Sequence, residues 1–368
     1  MNIEKIDKSR RKKEPRWKRF KEWVKKHILA IALISSAVVI AGVFLIAIYS
    51  IKYDQTASTD LQISKKKTKP KKFYLPLTGI EVTDENATKQ PVTGVMIENS
   101  PAARPQSGLK KAGVVYEAVA EGGITRFLAL YQGEKPATIG PVRSLRLYYL
   151  SWAAPYQASV AHVGGSPNAL AQVRNGNYRD IDQFFNAGSY WRVRDRYAPH
   201  NVYTSGERID QLNSSKGYTK SEFTSFNRTD GKPAEAPNAT SITINLSGAL
   251  YNTSYAYDKS SNSYVRNLAG TPHADREDGQ IAPKVVVAIE VGVEARAQNS
   301  DGYEDAKTTG SGKAYIFQNG MVTTATWSKA DINSPLKLTD ESGKNIALNR
   351  GQTWIAAFTP GRGGVSWQ

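Results

Sequence analysis

The sequence predicts an α+β protein with a single N-terminal transmembrane helix, a mixed α/β N-terminal lobe and a mostly β C-terminal lobe. Three observations carry the prediction. Residues Ile28 to Ile51 form an apolar run without one charged side chain. Between residues 77 and 226 short strand-like runs alternate with helical periods, and from residue 227 onward β-branched and aromatic runs replace the helical period.

At 1.5 Å per residue, the run of about 24 residues is long enough to cross a hydrocarbon core of roughly 30 Å as a helix. Its far end carries Phe44, Leu45, Ile46, Ile48 and Tyr49 where a cleaved secretory signal has small residues, so it reads as an uncleaved anchor spanning 28–51. Residues 1–27 hold twelve Lys and Arg against four acids and are expected in the cytoplasm by the positive-inside tendency. The rest of this single-pass protein of the cell membrane is then extracytoplasmic. Residues 52–76, rich in Lys, Thr, Ser and Asp, are expected to form a disordered stalk.

The formal net charge is +16, and about +13 of it lies in the two flanks of the apolar run. Cations that bracket a membrane span are explained by anionic lipid headgroups, so nucleic acid is not an expected partner. The absence of cysteine excludes disulfides, thiol catalysis and a lipidated cysteine. His162, His200 and His273 show no paired ligand spacing, and neither a metal nor a cofactor is expected.

Ordered structure should begin near Leu77. A strand is expected at Val95–Glu98, and Val114–Glu121 with Ile124–Tyr131 form a hairpin turning at Gly122-Gly123. Gly140-Pro141 reads as the start of a helix over Val142–Ala154. A strand at Gln157–Val163 and helices near Pro167–Arg174 and Ser205–Leu212 complete the lobe of residues 77–226. Polar residues Asn227 to Ala239 mark a boundary. In the lobe 227–368, strands are expected at Ser241–Leu246, Val285–Val291, Ala314–Phe317, Met321–Trp327 and Thr353–Phe358, with Asn319-Gly320 as a hairpin turn.

Three clusters carry candidate chemistry. A two-residue turn sets Glu121 opposite Ile124, Val119 opposite Arg126 and Glu117 opposite Leu128, which puts Glu117, Glu121 and Arg126 on one face. Four residues of strand separate the two glutamates by roughly 13 Å, beyond the 5 to 9.5 Å of glycosidase carboxyl pairs unless the side chains converge. A salt-bridged polar face is the plainer reading. Arg143 and Arg146 would lie on one face of the helix start, where positive charge needs an anion from Glu117, Glu121 or a ligand. In His162-Val163-Gly164-Gly165-Ser166-Pro167, free amides at a helix start capped by Ser166 could hold an anion, although an ordinary strand-to-helix turn has the same pattern. No nucleophile elbow or nucleotide loop is present.

Through these residues the chain resembles the YerB-like bacterial envelope proteins, a family of unknown function whose members are grouped with lipoproteins. The likeness runs through Ile97-Glu98-Asn99, Ala103-Arg104-Pro105-Gln106-Ser107-Gly108-Leu109, Val115-Tyr116-Glu117 and Glu121-Gly122-Gly123-Ile124-Thr125-Arg126. It continues in Ile139-Gly140-Pro141-Val142-Arg143-Ser144, Gly164-Gly165-Ser166, Pro272-His273-Ala274-Asp275 and Leu348-Asn349-Arg350-Gly351-Gln352-Thr353-Trp354. The resemblance implies two lobes at the outer face of a bacterial membrane and brings no established reaction. This chain departs from the lipoprotein pattern by having an apolar helix in place of a lipidated cysteine.

The expected function is a tethered binding or scaffold protein of the cell envelope, acting on an anionic wall glycan, peptide or partner protein. Asn99, Arg104, Glu117, Glu121, Arg126, Arg143, Arg146, His162, Gly164, Gly165 and Ser166 are the candidate binding residues. The alternative is a hydrolase or transferase on wall glycan with Glu117 or Glu121 as general acid or base, assisted by His162.

Overall fold

The computed structural model describes residues 15–62, 71–294 and 305–368. The chain divides into two units, Met1–Lys71 and Lys72–Gln368.

The described part of the first unit holds one helix, α1 (Arg16–Gln62). Its stretch Arg16–Lys52 is long and apolar enough to cross a membrane, and none of its most apolar window is buried in protein. Leu29, Phe44 and Leu45 are all exposed. The helix is longer than expected and continues through Lys52 to Gln62, into the segment expected to be disordered. An established helix adds one hydrogen bond per residue without new nucleation, so a polar sequence does not by itself end it. The rest of the Lys-rich run, residues 63–70, and most of the basic segment, residues 1–14, lie outside the described residues.

The second unit opens with a two-stranded ribbon, β1 (Phe73–Tyr74) and β2 (Glu81–Val82), a few residues before the expected start. It continues through β3 (Thr93–Glu98), β4 (Val114–Glu121), β5 (Ile124–Tyr131), α2 (Leu147–Ala153), β6 (Ser159–His162), α3 (Pro167–Val173), β7 (Arg179–Asp182) and α4 (Gly206–Ser215). Then follow β8 (Ser241–Asn245), β9 (Thr253–Asp258), β10 (Ser263–Leu268), β11 (Thr271–Pro272) and β12 (Val285–Glu290). The chain ends through β13 (Gly310–Gln318), β14 (Met321–Lys329), β15 (Lys337–Thr339), β16 (Thr353–Phe358) and β17 (Gly364–Trp367).

Ten of these strands form one sheet in the order β15-β14-β13-β12-β16-β4-β5-β3-β6-β7. The parallel pairing of β16 with β4, with Thr353 opposite Val114 and Ala356 opposite Glu117, carries the sheet across residues 77–226 and 227–368 alike. Strands β12 and β16 are continuous apolar runs because both of their faces are covered. Strands β3, β4, β6, β7, β12 and β16 run in one direction, so their carboxyl ends share one edge.

On one face, Tyr148, Tyr149 and Trp152 of α2 pack in a cluster that includes Tyr116, Leu128 and Val160, and also Trp327 and Leu338 from the opposite end of the sheet. The sheet therefore wraps around α2. On the other face, a five-stranded sheet, β11-β10-β9-β8-β17, covers β12 and β16 through Ile242, Ile244 and Tyr264. Ile209 of α4 joins Val95, Ala161 and Ile181 over the remaining strands.

The helix expected over Val142–Ala154 begins only at Leu147. Residues 139–143 instead use their amides laterally, Ile139 to the Thr204 carbonyl, Val142 to that of Val202 and Arg143 to that of Met96, and those bonds exclude the helical ladder. Asn319 and Gly320, with φ of 62° and 77°, make the expected hairpin turn.

Candidate functional site

The β4–β5 hairpin turns at Gly122 and Gly123, both at positive φ as a two-residue turn requires, and Glu121 faces Ile124 as expected. Beyond that pair the register departs from expectation. A bulge between Val119 and Glu121 places Val119 opposite Thr125, Ala118 opposite Arg126 and Glu117 opposite Phe127. One extra residue reverses the side-chain alternation. Glu117 and Glu121 therefore lie on opposite faces of the sheet, and the expected acid, base, acid cluster is two separate sites.

Glu117 is fully buried. Its Oε2 accepts from Arg266 Nη2 at 2.8 Å and from the Trp354 indole at 2.9 Å, while Oε1 accepts from the Thr125 hydroxyl at 3.2 Å. Asn99 donates to Thr125 Oγ1 at 2.6 Å, and its own Oδ1 accepts from Arg104 Nε and Gln106 Nε2. Arg266 also donates to the Tyr255 hydroxyl and to His273 Nδ1, and His273 Nε2 reaches Gln106 Oε1 at 3.1 Å. The Arg266 guanidinium lies 4.1 Å above the Trp354 ring. A closed, satisfied network of this kind fixes geometry and leaves no carboxyl oxygen free for acid or base work.

Glu121 sits on the other face between two nearly buried guanidinium groups, Arg126 Nη2 at 2.5 Å and Arg146 Nη2 at 2.6 Å. Burial pushes its carboxyl pKa up, but the charges of and hydrogen bonds from Arg126 and Arg146 outweigh this and leave it below the ordinary value. Arg143 does not share a helix face with Arg146; its Nε lies 3.4 Å from Glu98 Oε2. Glu98 Oε1 accepts from the Ser100 hydroxyl at 2.9 Å and from His200 Nδ1 at 2.8 Å.

His162 is buried with Nδ1 on the Gly164 carbonyl at 2.8 Å and Nε2 on Asp180 Oδ1 at 3.0 Å. The amide of Gly164 donates to Asp182 Oδ1 and that of Ser166 to the Leu145 carbonyl, while Gly165 lies against the same carbonyl. Ser166 stands at the N-cap position of α3 without a side-chain cap. Arg174 closes the cluster on Asp180 and Asp182. The loop is thus occupied by the protein's own carboxylate. Asp180, Asp182 and Ser100 are not among the residues named from the sequence, and Glu98 and His200 are named there but not as binding residues. Among the described residues no group of His, Asp and Glu is placed to hold a metal ion.

Residues 77–219 match the family described as "Protein of unknown function (DUF3048) N-terminal domain", and residues 242–355 match its "C-terminal domain". The "Putative lipoprotein YerB" of Bacillus subtilis (strain 168) is 34% identical over 291 residues, which are 77% of this chain and 86% of that protein. The chain belongs to the YerB-like family. The crystal structure of the YerB protein from Bacillus subtilis aligns with this YerB-like chain at a TM-score of 0.71 and 30% identity, covering 80% of this chain and 99% of that one. Family and apolar helix together make this an envelope-associated protein. The Glu117 network joins the two matched segments of the YerB-like chain, since Asn99, Gln106, Glu117 and Thr125 come from the first and Arg266, His273 and Trp354 from the second.

Proposed function

We propose that this YerB-like chain is a binding protein held at the outer face of the cell membrane by α1, with residues 1–27 in the cytoplasm, and that it engages an anionic polymer of the cell wall. One observation carries the reading. At the carboxyl edge of the sheet Arg126 and Arg146 pair with Glu121 and Arg143 lies beside Glu98, while Arg104 makes no ion pair among the described residues. Arg104 is held by the Asn99 and Leu250 carbonyls, the Asn99 amide oxygen and the face of Tyr251, none of which neutralises its charge. A positioned guanidinium group without a carboxylate partner suits phosphate or carboxylate ligands. The hydrolase alternative loses support because Glu117 is enclosed by three donors and Glu121 is an ion-pair partner held in its charged form.

The test is retention of the full-length protein, in detergent, on isolated wall fragments before and after their anionic polymers are extracted. Binding is expected at low salt, should weaken as salt screens it, and should fall on extracted fragments. Equal retention on both kinds of fragment at all salt concentrations would overturn the reading.

A further inference from the structure

A groove of about 600 Å³ lies where the two ends of the wrapped sheet approach each other, between the start of β7 and the loop that follows β14. It is lined from both family segments and from the stretch between them, and shares no residue with the arginine edge. Its volume is that of a small-ligand site, and junctions between structural halves are where such sites form.

The chemistry of the lining is distinctive. Asn177, Asn333 and Thr224 present exposed amide and hydroxyl groups, and Tyr178, packed partly against the core with its hydroxyl taking a bond from Gln172, gives a fixed ring. Gln157 adopts a left-handed backbone, φ 48° and ψ 36°, which is uncommon for a residue other than glycine and marks a place where strain is tolerated. That conformation aims its carbonyl at Arg179 Nη1 (2.9 Å), which also donates to the Lys220 carbonyl and the Ser221 hydroxyl. All three partners are uncharged. Among the described residues no carboxylate pairs with Arg179, and Glu222, the acid of the groove, is taken by Lys220 at 2.5 Å.

The opposite wall is held ready. Lys329 donates to the carbonyls of Asp331, Ile332 and Ser334 at 2.6 to 2.8 Å, and Asp331 Oδ1 accepts from the amides of Asn333 and Ser334. A loop fixed by its own ammonium and carboxylate pre-organises Asn333 and lowers the entropy lost on binding.

We propose that this groove binds an amino-sugar glycan bearing a carboxylate, with amides and hydroxyls meeting the sugar hydroxyl and acetamido groups and Arg179 meeting the carboxylate. Amide side chains donate and accept, as such a ligand requires, and one fixed guanidinium pairs a planar carboxylate through two bonds. A polymer with charge at every unit does not fit a lining with a single uncompensated cation.

The test titrates the full-length protein in detergent by calorimetry with a neutral N-acetylglucosamine oligomer and with the disaccharide of N-acetylglucosamine and N-acetylmuramic acid. The acid-bearing probe is expected to bind about tenfold or more tightly than the neutral one. Arg179→Gln should bring it down to the neutral level, and Asn333→Ala, at an exposed side chain, should weaken both several-fold with an unchanged melting temperature. Arg104→Gln with Arg143→Gln should leave both probes unaffected, which separates this groove from the arginine edge. Absence of binding by either probe, or binding that neither groove variant changes, would overturn the assignment, as would loss of binding in the arginine-edge variant.

Discussion

Glu117 and Arg266 meet at 2.8 Å with neither side chain reaching solvent. Removing one partner strands a buried charge, so Arg266→Met is expected to cost about 3 to 5 kcal/mol, and adding Glu117→Gln should recover part of that loss. Urea denaturation of the single and double variants measures both effects. An additive double variant would mean that the two residues act independently.

His273 sets an acid limit on stability. Burial first, then the charges of Arg266 and Arg104, hold its imidazole well below the ordinary 6.5. The folded ring stays neutral while the unfolded chain takes up a proton near 6.5, so this contribution is complete above that pH and declines as pH falls toward the folded value. The urea midpoint should be lower at pH 5 than at pH 7.5, with a slope of at most about 1.4 kcal/mol per pH unit from this group. In His273→Gln that segment of the profile should flatten.

Glu121 competes with any anionic ligand for Arg126 and Arg146. Glu121→Gln removes the counter-charge of two nearly buried guanidinium groups, so the melting temperature should fall while binding to anionic wall fragments tightens. Weaker binding together with lower stability would show that the trio is structural only.

Much of this was legible in the residues and some was not. Strands β4, β5 and β16 were readable to the residue because their apolar runs are bounded by glycine and polar turns. The bulge at Ala120 was not, because nothing in Val119-Ala120-Glu121 announces an extra residue, and that one residue divided the expected site. Glu117 found its partner 149 positions away in Arg266, and no local spacing could show that. Gly140-Pro141 carried a sound helix-start signal that lost to lateral bonds with Thr204, Val202 and Met96. The loop at Gly164 was rightly placed between a strand and a helix, but Asp182, from the neighbouring strand, occupies the amide expected to be free.

Orientation is tested by trypsin added to intact wall-stripped cells. A soluble fragment beginning within Lys65–Lys72 is expected from the intact cells. Its release only after lysis would place the folded unit on the cytoplasmic side.

The most direct test of the central claim, binding of an anionic wall polymer at the arginine edge, is the affinity of Arg104→Gln with Arg143→Gln for anionic wall fragments at low salt. Both side chains are partly accessible, and Ser100 and His200 remain to satisfy Glu98. Affinity is expected to fall about tenfold, equivalent to roughly 1.4 kcal/mol, with a shallower salt dependence and a preserved cooperative melt. Wild-type affinity and salt dependence in a folded double variant would contradict the account.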